Sequence, residues 1–394
     1  MSAAGAGPTG QQVLVVNAGS SSLKMKLFPQ GAALLVERIG GATAAKATFT
    51  LLEPPRLQDH AAAFAFALDV YSRGVPGFAP AAVGHRVVHG GTRFVAPTLV
   101  TPEVEVEIDR LSRLAPLHNP GNLAALRAAL AALPGVPQVA VFDTAFHATL
   151  PPRAYLYGLP LSYAEDGVRR YGFHGPSHDF VSRRAGELLG CDRSELRIVT
   201  LHLGNGASAA AVNRGRSVDT SMGFTPMEGL LMGTRSGDID PGVVLYLLRE
   251  GASVAEVDDL LNKGSGLKGM SGVSNDVRDV SAAAAAGAAG ALAALEVFAY
   301  RVRKVVGAYA AVLGGLDAVV FTGGIGENSA ALRAAALDGL EFLGVTVDEA
   351  RNARGETTIN VEGASVAVLV VPTDEELMIA DAAATVLRGS HEES

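Results

Sequence analysis

Residues 13–16 (VLVV) form an apolar run of strand length. After the NAGSSS turn, Leu23, Met25 and Leu27 alternate with Lys24 and Lys26. Alternation of period two marks a half-buried strand, so the pattern predicts strand, Gly/Ser turn, strand. Residues 197–203 (RIVTLHL) run through GNGAS into AAAV and predict a second such unit. Asn17 and Asn205 are 188 positions apart (205 − 17), about half the chain, which hints at an internal duplication. A third Gly-rich turn is expected at Gly323–Asn328, between the strand-like AVVF and the helical ALRAAALDGLEFL. Ala/Leu-periodic helices are expected at 122–132, 182–189 and 290–312, and strands mixed with helices give an α/β fold class.

The Ala-rich run from Ser281 to Leu295 reads as one buried or half-buried helix. It is short and only weakly apolar, and Glu296, Arg301, Arg303 and Lys304 follow, so no membrane span is predicted. The ending, PTDEELMIADAAATVL, predicts a closing helix with Thr373 as N-cap and Glu376 three residues on. A length of 394 residues suits two domains. Pro151 and Pro152 suggest the hinge. The first twelve residues read as a flexible leader without a signal-peptide pattern.

Composition narrows the function. Hydrophobic residues make up 48% and charged residues 18%, which predicts a packed globular body. A net charge of −8 argues against a nucleic-acid surface. One cysteine, Cys191, excludes an internal disulfide and a thiolate metal cluster and fits a cytoplasmic home.

Three Gly-rich turns after strands suit phosphate, because backbone N–H groups can converge on an anion there; each read alone is equally a tight turn. No G-x-x-x-x-G-K-[ST] occurs. The G-x-G-x-x-G spacing of Gly264, Gly266 and Gly269 follows a helical stretch and fails as a dinucleotide fingerprint. Zinc is not expected, as no H-E-x-x-H occurs. His85, His89, His118, His147, His174, His178 and His202 fall in short polar islands, where a hydrogen-bonded structural role is the ordinary reading. His174, in RRYGFHGPSH, is the exception, because Arg, Tyr, Gly and His meet at one turn. Asp143 ends the apolar strand VAVFD and points either to a ligand crevice or to a helix cap. Arg86 and Arg235 are either bidentate anion clamps or surface ion-pair partners. Glu375 and Glu376 either hold Mg²⁺ or cap the closing helix. Together these parts are what phosphoryl transfer asks for: phosphate cradles, cationic clamps, a carboxylate and a metal.

Ten segments carry a resemblance from residue 13 to 377: VLVVNAGSSSLK, GHRVVHGG, HNPGN, VFDTAFH, RRYGFHGPSH, LHLGNGAS, DTSMGFTPMEGLLMGTRSGDIDPG, SNDVRD, FTGGIGENS and PTDEEL. In this order they resemble the acetate kinase family. The resemblance implies a two-domain, duplicated ribonuclease-H-like (actin-like ATPase) fold with ATP in the interdomain cleft. The domains it implies are 13–150 with 379–394, and 151–378, after a 1–12 leader. It implies reversible transfer of the ATP γ-phosphoryl group to acetate with Mg²⁺ (Mn²⁺ as an alternative), a cytoplasmic homodimer, and no nucleic-acid or membrane partner. Propionate or butyrate kinase is the rival within the family. An Hsp70-like or actin-like ATPase acting on a protein partner is the rival outside it.

The resemblance also assigns residues by motif. Asn17 and Glu375 are similar to a Mg²⁺-associated pair, and Lys24 to a phosphate-contacting lysine. Arg86 and Arg235 resemble arginines that bind the acid and steady the phosphoryl group, Asp143 the essential aspartate, and His174 the transition-state histidine. His202, Leu203, Gly204, Asn205 and Gly206, then Asp276, Val277 and Arg278, then Gly324, Ile325, Gly326, Glu327 and Asn328, look like nucleotide-binding segments. Val88, Leu117, Phe173 and Pro226 resemble the apolar pocket for the methyl group. Pro176 and Lys268 depart from the expected pattern without touching an assigned role.

Overall fold

The computed structural model describes residues 10–51 and 53–392. The chain divides into two compact units, one running to Ala145 and resuming at Asp374, the other spanning Phe146–Thr373.

The first unit holds β1 (Val13–Ala18), β2 (Ser22–Phe28), β3 (Ala32–Glu37), β4 (Ala44–Ala47), β5 (Ala82–Val87), β6 (Thr98–Leu99) and β7 (Gln138–Phe142), in the sheet order β4-β3-β2-β1-β5-β7-β6. The first four strands pair antiparallel, and β1, β5 and β7 run parallel. The second unit holds β8 (Arg197–Leu203), β9 (Ala207–Asn213), β10 (Arg216–Thr220), β11 (Ala318–Thr322) and β12 (Ala367–Val370), in the order β10-β9-β8-β11-β12. Here too three strands are antiparallel and β8, β11 and β12 parallel. The shared order β3-β2-β1-β5-β7 and β10-β9-β8-β11-β12 is the duplicated ribonuclease-H-like arrangement. Paired strand ends set the repeat at 185 residues (Leu203 − Ala18), because Ala18 pairs Leu23 and Leu203 pairs Ala207. Asn17 is therefore the counterpart of His202, the next-to-last residue of β8, and not of Asn205.

Strand β1 is apolar on both faces because both faces are covered. Leu14 and Val16 pack in a core with Phe64, Ala67 and Tyr71 of the helix His60–Gly74. Val13 and Val15 pack with Ile379, Ala380 and Ala383 of the closing helix Glu375–Glu392. Burying one such aliphatic side chain contributes about 1.5–3 kcal/mol. Gly84 on β5 lets that helix approach closely: a Cβ there would lie 2.7 Å from the Ile379 methyl.

Several expected details differ. The break after 378 would cut the closing helix, yet the helix is continuous from Glu375 and belongs whole to the first unit. The other division falls at Ala145, before the Pro pair, and Pro152 instead begins the short helix Pro152–Tyr155. Thr373 is not the N-cap. Asp374 Oδ1 accepts from Leu377 N at 3.0 Å, while the Thr373 hydroxyl is buried without a partner among the described residues. The Ala-rich run forms two helices, Val277–Ala285 and Ala289–Leu313, because Gly287 turns the chain at φ 87°. Gly323–Asn328 is one short helix where a turn was expected. Residues 1–9 of the expected leader lie outside the described residues. Gln12 is anchored, donating to Gly77 O at 2.9 Å and accepting from Ala79 N at 2.7 Å. No helix among the described residues is long and apolar enough to cross a membrane.

Candidate active site

In the first unit the site forms at the ends of β1 and β5 and after β7. Asp143, buried, directly follows β7 and accepts from Arg86 through both oxygens: Nε to Oδ1 at 2.8 Å and Nη2 to Oδ2 at 2.6 Å. This planar, two-bond geometry is the strong form of an Arg–carboxylate pair. Asp143 is thus neither a helix cap nor a lone carboxylate. The Arg86 side chain is 20% exposed, so the pair is walled in, unlike a surface ion pair. Its Nη1 also reaches Asn17 Oδ1 at 3.3 Å.

Three carboxylates press on this arginine. Burial would lower the Arg86 guanidinium, but Asp143 first, then Glu375 and Glu376, hold it above its ordinary value. Burial pushes Asp143 above the ordinary carboxylate range, opposed by Arg86 and assisted by Glu375. Glu375 is raised by burial too, opposed by Arg86 and reinforced by Glu376. Its Oε1 is buried with no hydrogen-bond partner among the described residues. A buried carboxylate oxygen without a donor is suited to a cation. Asn17 Oδ1 is a second oxygen donor in the same crevice, so the pair fits a hard divalent ion that completes its shell with water and phosphate. No group of three or more His, Cys, Asp or Glu able to hold a metal occurs among the described residues.

Lys24 lies opposite Asn17 in the β1–β2 register, hence on the same sheet face, and forms an ion pair with Glu376. Burial would raise Glu376, but Lys24 holds it below the ordinary range. Val88 is buried and Leu117 is 45% exposed. Residue reasoning passed over Asn119 and Asn122. Asn122 accepts from Val88 N at 3.0 Å and donates to Ala18 O at 2.7 Å, tying the end of β1 to the segment after β5. Asn119 accepts from His89 N at 3.0 Å and donates to His89 O at 3.1 Å. Both lie in the HNPGN segment, which was the available signal.

In the second unit His174 precedes the helix Gly175–Leu189 in a left-handed conformation, φ 55° and ψ 27°. This is costly for a residue with a Cβ, about 1 kcal/mol or more, and such strain concentrates at functional positions. The His174 ring stacks on His202 at 4.2 Å. A Cβ placed on Gly206 would lie 3.4 Å from His174 Nε2 and 3.7 Å from Arg235 Nη1. Imidazole and guanidinium therefore meet at the β8–β9 turn. Arg235 Nη1 donates to Pro226 O at 2.7 Å. Phe173 is buried, and its carbonyl accepts from His147 Nε2 at 2.9 Å.

Beside the turn lies a pocket of about 840 Å³. Of the expected nucleotide segments, Gly204, Asn205, Asp276, Val277, Arg278, Gly324, Ile325 and Asn328 line it. Lys24 belongs to the other unit. His202, Leu203, Gly206, Gly326 and Glu327 are not in the lining. Glu327 turns back to accept from Gly323 N at 2.9 Å, capping its own short helix. Gly323, at φ 77°, is needed where a Cβ would lie 2.7 Å from Leu203 O. Asp276 accepts from Arg278 N at 2.9 Å and pairs with its guanidinium, which pulls Asp276 down to about 2.

Reasoning from sequence missed Asn275, Ser281 and Ser329–Ala331 in the lining. Asn275 lies inside SNDVRD, and Ser329 is a visible cap, accepting from Leu332 N at 3.4 Å. It also missed Arg333, fully buried, whose Nη1 donates to Gly326 O and Glu327 O at 2.8 Å each. That clamp fixes the end of the Gly323–Asn328 helix. An arginine inside an Ala/Leu helix was its only signal.

Comparison with known proteins agrees with this geometry. The model of the acetokinase family matches residues 12–381. An acetate kinase of Clavibacter michiganensis subsp. michiganensis is 52% identical over 385 residues, covering 93% of this chain and 97% of that protein. The crystal structure of Porphyromonas gingivalis acetate kinase is 45% identical with a TM-score of 0.90, covering 96% of this chain and 100% of that one. A propionate kinase structure from Francisella tularensis subsp. tularensis is 40% identical with a TM-score of 0.89, covering 94% and 98%. The chain belongs to the acetokinase family, kinases that transfer phosphate to a carboxylate.

Proposed function

We propose that this chain catalyses the reversible, Mg²⁺-dependent transfer of the γ-phosphoryl group of ATP to acetate, giving acetyl phosphate and ADP. The observation that carries the reading is the meeting of His174 and Arg235 at Gly206, beside a nucleotide-sized pocket. Phosphoryl transfer passes through a loose transition state, so positioning and charge stabilisation do most of the work. The Gly204–Gly206 and Gly324–Asn328 segments cradle ATP, with Asp276–Arg278 at the pocket wall. Lys24, released from Glu376, serves the phosphates. Arg235 and His174 donate to the equatorial oxygens of the moving group.

Arg86, held flat by Asp143, receives the acid's carboxylate, while Val88, Leu117, Phe173 and Pro226 accommodate the methyl group. A carboxylate oxygen then attacks phosphorus in line and ADP leaves. Asn17 and Glu375 hold Mg²⁺, with Mn²⁺ a substitute; the ion neutralises phosphate charge when bound.

Propionate is the second reading, favoured by the propionate kinase relative. One methylene in an apolar pocket is worth only about 1–3 kcal/mol. ADP release with acetate, propionate and butyrate ranks the acids; a rate highest with propionate would replace the acetate assignment. The reading extends to a cytoplasmic homodimer with small-molecule substrates and neither nucleic-acid nor membrane partner. The helix Pro241–Arg249 supports the dimer, since it is rich in apolar residues yet buries none of them, with Val243, Leu245 and Tyr246 exposed.

A further inference from the structure

Behind His174 lies a line of hydrogen bonds that ends in a buried threonine. His174 Nδ1 meets Ser208 Oγ at 2.8 Å, and the same oxygen meets His178 Nε2 at 2.8 Å. His178 Nδ1 meets Thr200 Oγ1 at 2.8 Å. Ser208, His178 and Thr200 are all fully buried. Each link has one proton to give, so the donor at one end decides every donor along the line.

Thr200 has two acceptors within reach. Ala210 O lies at 3.5 Å, the outer limit of a hydrogen bond, and His178 Nδ1 at 2.8 Å. Its proton therefore goes to His178 Nδ1. Burial first, then His147 and His202, hold His178 well below the ordinary histidine value, so it is neutral with a single ring proton. With Nδ1 accepting, that proton is on Nε2 and is donated to Ser208. The serine's own proton then points to His174 Nδ1.

We propose that Thr200, His178 and Ser208 form a tautomer-setting relay that keeps neutral His174 protonated at Nε2, presenting an N–H at the Gly206 turn beside Arg235. The inference rests on the His174 role proposed above. Its consequence is specific: His174 stabilises developing negative charge as a neutral donor and needs no protonation from solvent. Thr200, His178 and Ser208 are positioning residues, since each acts only through His174. The ordinary view of a buried serine and threonine in a sheet assigns them to packing alone. It gives no reason for two short bonds to converge on one hydroxyl.

The test reads the tautomer directly. Full-length protein carrying ¹⁵N-labelled histidine, at a pH where His174 is neutral, gives ring nitrogen shifts that separate protonated from bare nitrogens; Gln variants assign the peaks. The wild type is expected to show His174 protonated at Nε2 and bare at Nδ1. Thr200→Val keeps the shape, removes the directing proton, mixes the His174 tautomers and lowers kcat at least roughly tenfold, since a wrongly set tautomer disables a catalytic histidine. The KM for the acid stays within about twofold because no substrate contact is lost. Thr200→Ser, which restores the hydroxyl, recovers most of the rate. A wild-type His174 protonated at Nδ1 overturns the relay even if no variant folds. So does Thr200→Val with unchanged tautomer and rate. Neither result touches the His174 role, which fails separately if His174→Ala keeps a wild-type kcat.

Discussion

The two units place different chemistry on the same backbone design. In both, a hairpin feeds parallel strands, and the next-to-last residue of the first strand faces a residue of the second across the ladder. In the first unit that pair is Asn17 and Lys24, set among Arg86, Asp143, Glu375 and Glu376. In the second it is His202 and Ser208, set among His174, His178 and Thr200. The first crevice is a network of charges kept in balance by bidentate pairing. The second is a network of neutral imidazoles and hydroxyls, where burial removes charge and leaves directed N–H groups. Duplication supplied the frame; side chains of opposite character supplied a charged half and a neutral half.

The sharpest way to break this comparison is to remove the one guanidinium that works within the neutral half. Arg235→Ala should lose about 10²–10³ in kcat, roughly 3–4 kcal/mol of transition-state stabilisation, with nucleotide binding retained. Steady-state rates and a nucleotide titration separate the two. Retained rate would mean that the second unit only binds.

Next in size is the charged half. Asp143→Asn keeps the shape but leaves Arg86 without its counter-charge. Breaking a mostly buried pair in this way costs about 2–4 kcal/mol, checked by denaturant unfolding followed in the first unit. Little change would mean that Glu375 and Glu376 already balance the arginine.

Acidification should separate the halves. His147, lowered to about 4 by burial, and His178, lowered further, are neutral when folded but take up protons near 6.5 when unfolded. Their stability is whole above about 6.5 and is lost as pH falls towards 4, at about 1.4 kcal/mol per pH unit for each group. In the first unit His85, also lowered to about 4, acts in the same sense. Asp143 and Glu375 are raised, so they bind protons first in the folded state and offset that loss. Hydrogen exchange at falling pH should open the β8–β9 region before the β1–β5 region; the reverse order would contradict the assignment.

The smallest effect lies at the closing helix. Asp374→Ala should cost about 1 kcal/mol as a lost N-cap, while Thr373→Val should cost nothing, both read by thermal unfolding.

Much of this was legible in the sequence because local physics decides it. Period-two alternation at Leu23–Leu27 fixed β2, and GNGAS fixed the β8–β9 turn. What failed was decided by tertiary contact or by small backbone choices. Thr373 and Asp374 are both good caps, and only the direction of chain entry selected Asp374. Asn205 mimics Asn17 in sequence, yet strand pairing aligns His202 with it. The relay was invisible because His174 and His178 meet Thr200 and Ser208 only once the helix Gly175–Leu189 packs on β8. The one local clue was the His202–Ser208 cross-strand pair. Glu375 could be named as a metal candidate, but not that one of its oxygens would be buried without a donor.

The most direct test of the central claim measures ADP release from Mg-ATP with and without acetate, with hydroxylamine present to trap acyl phosphate. The account requires ADP release that depends on acetate, with hydroxamate formed in matching amount. Slow release indifferent to acetate, with no hydroxamate, would contradict it and make this duplicated fold an ATPase acting on something other than a small acid.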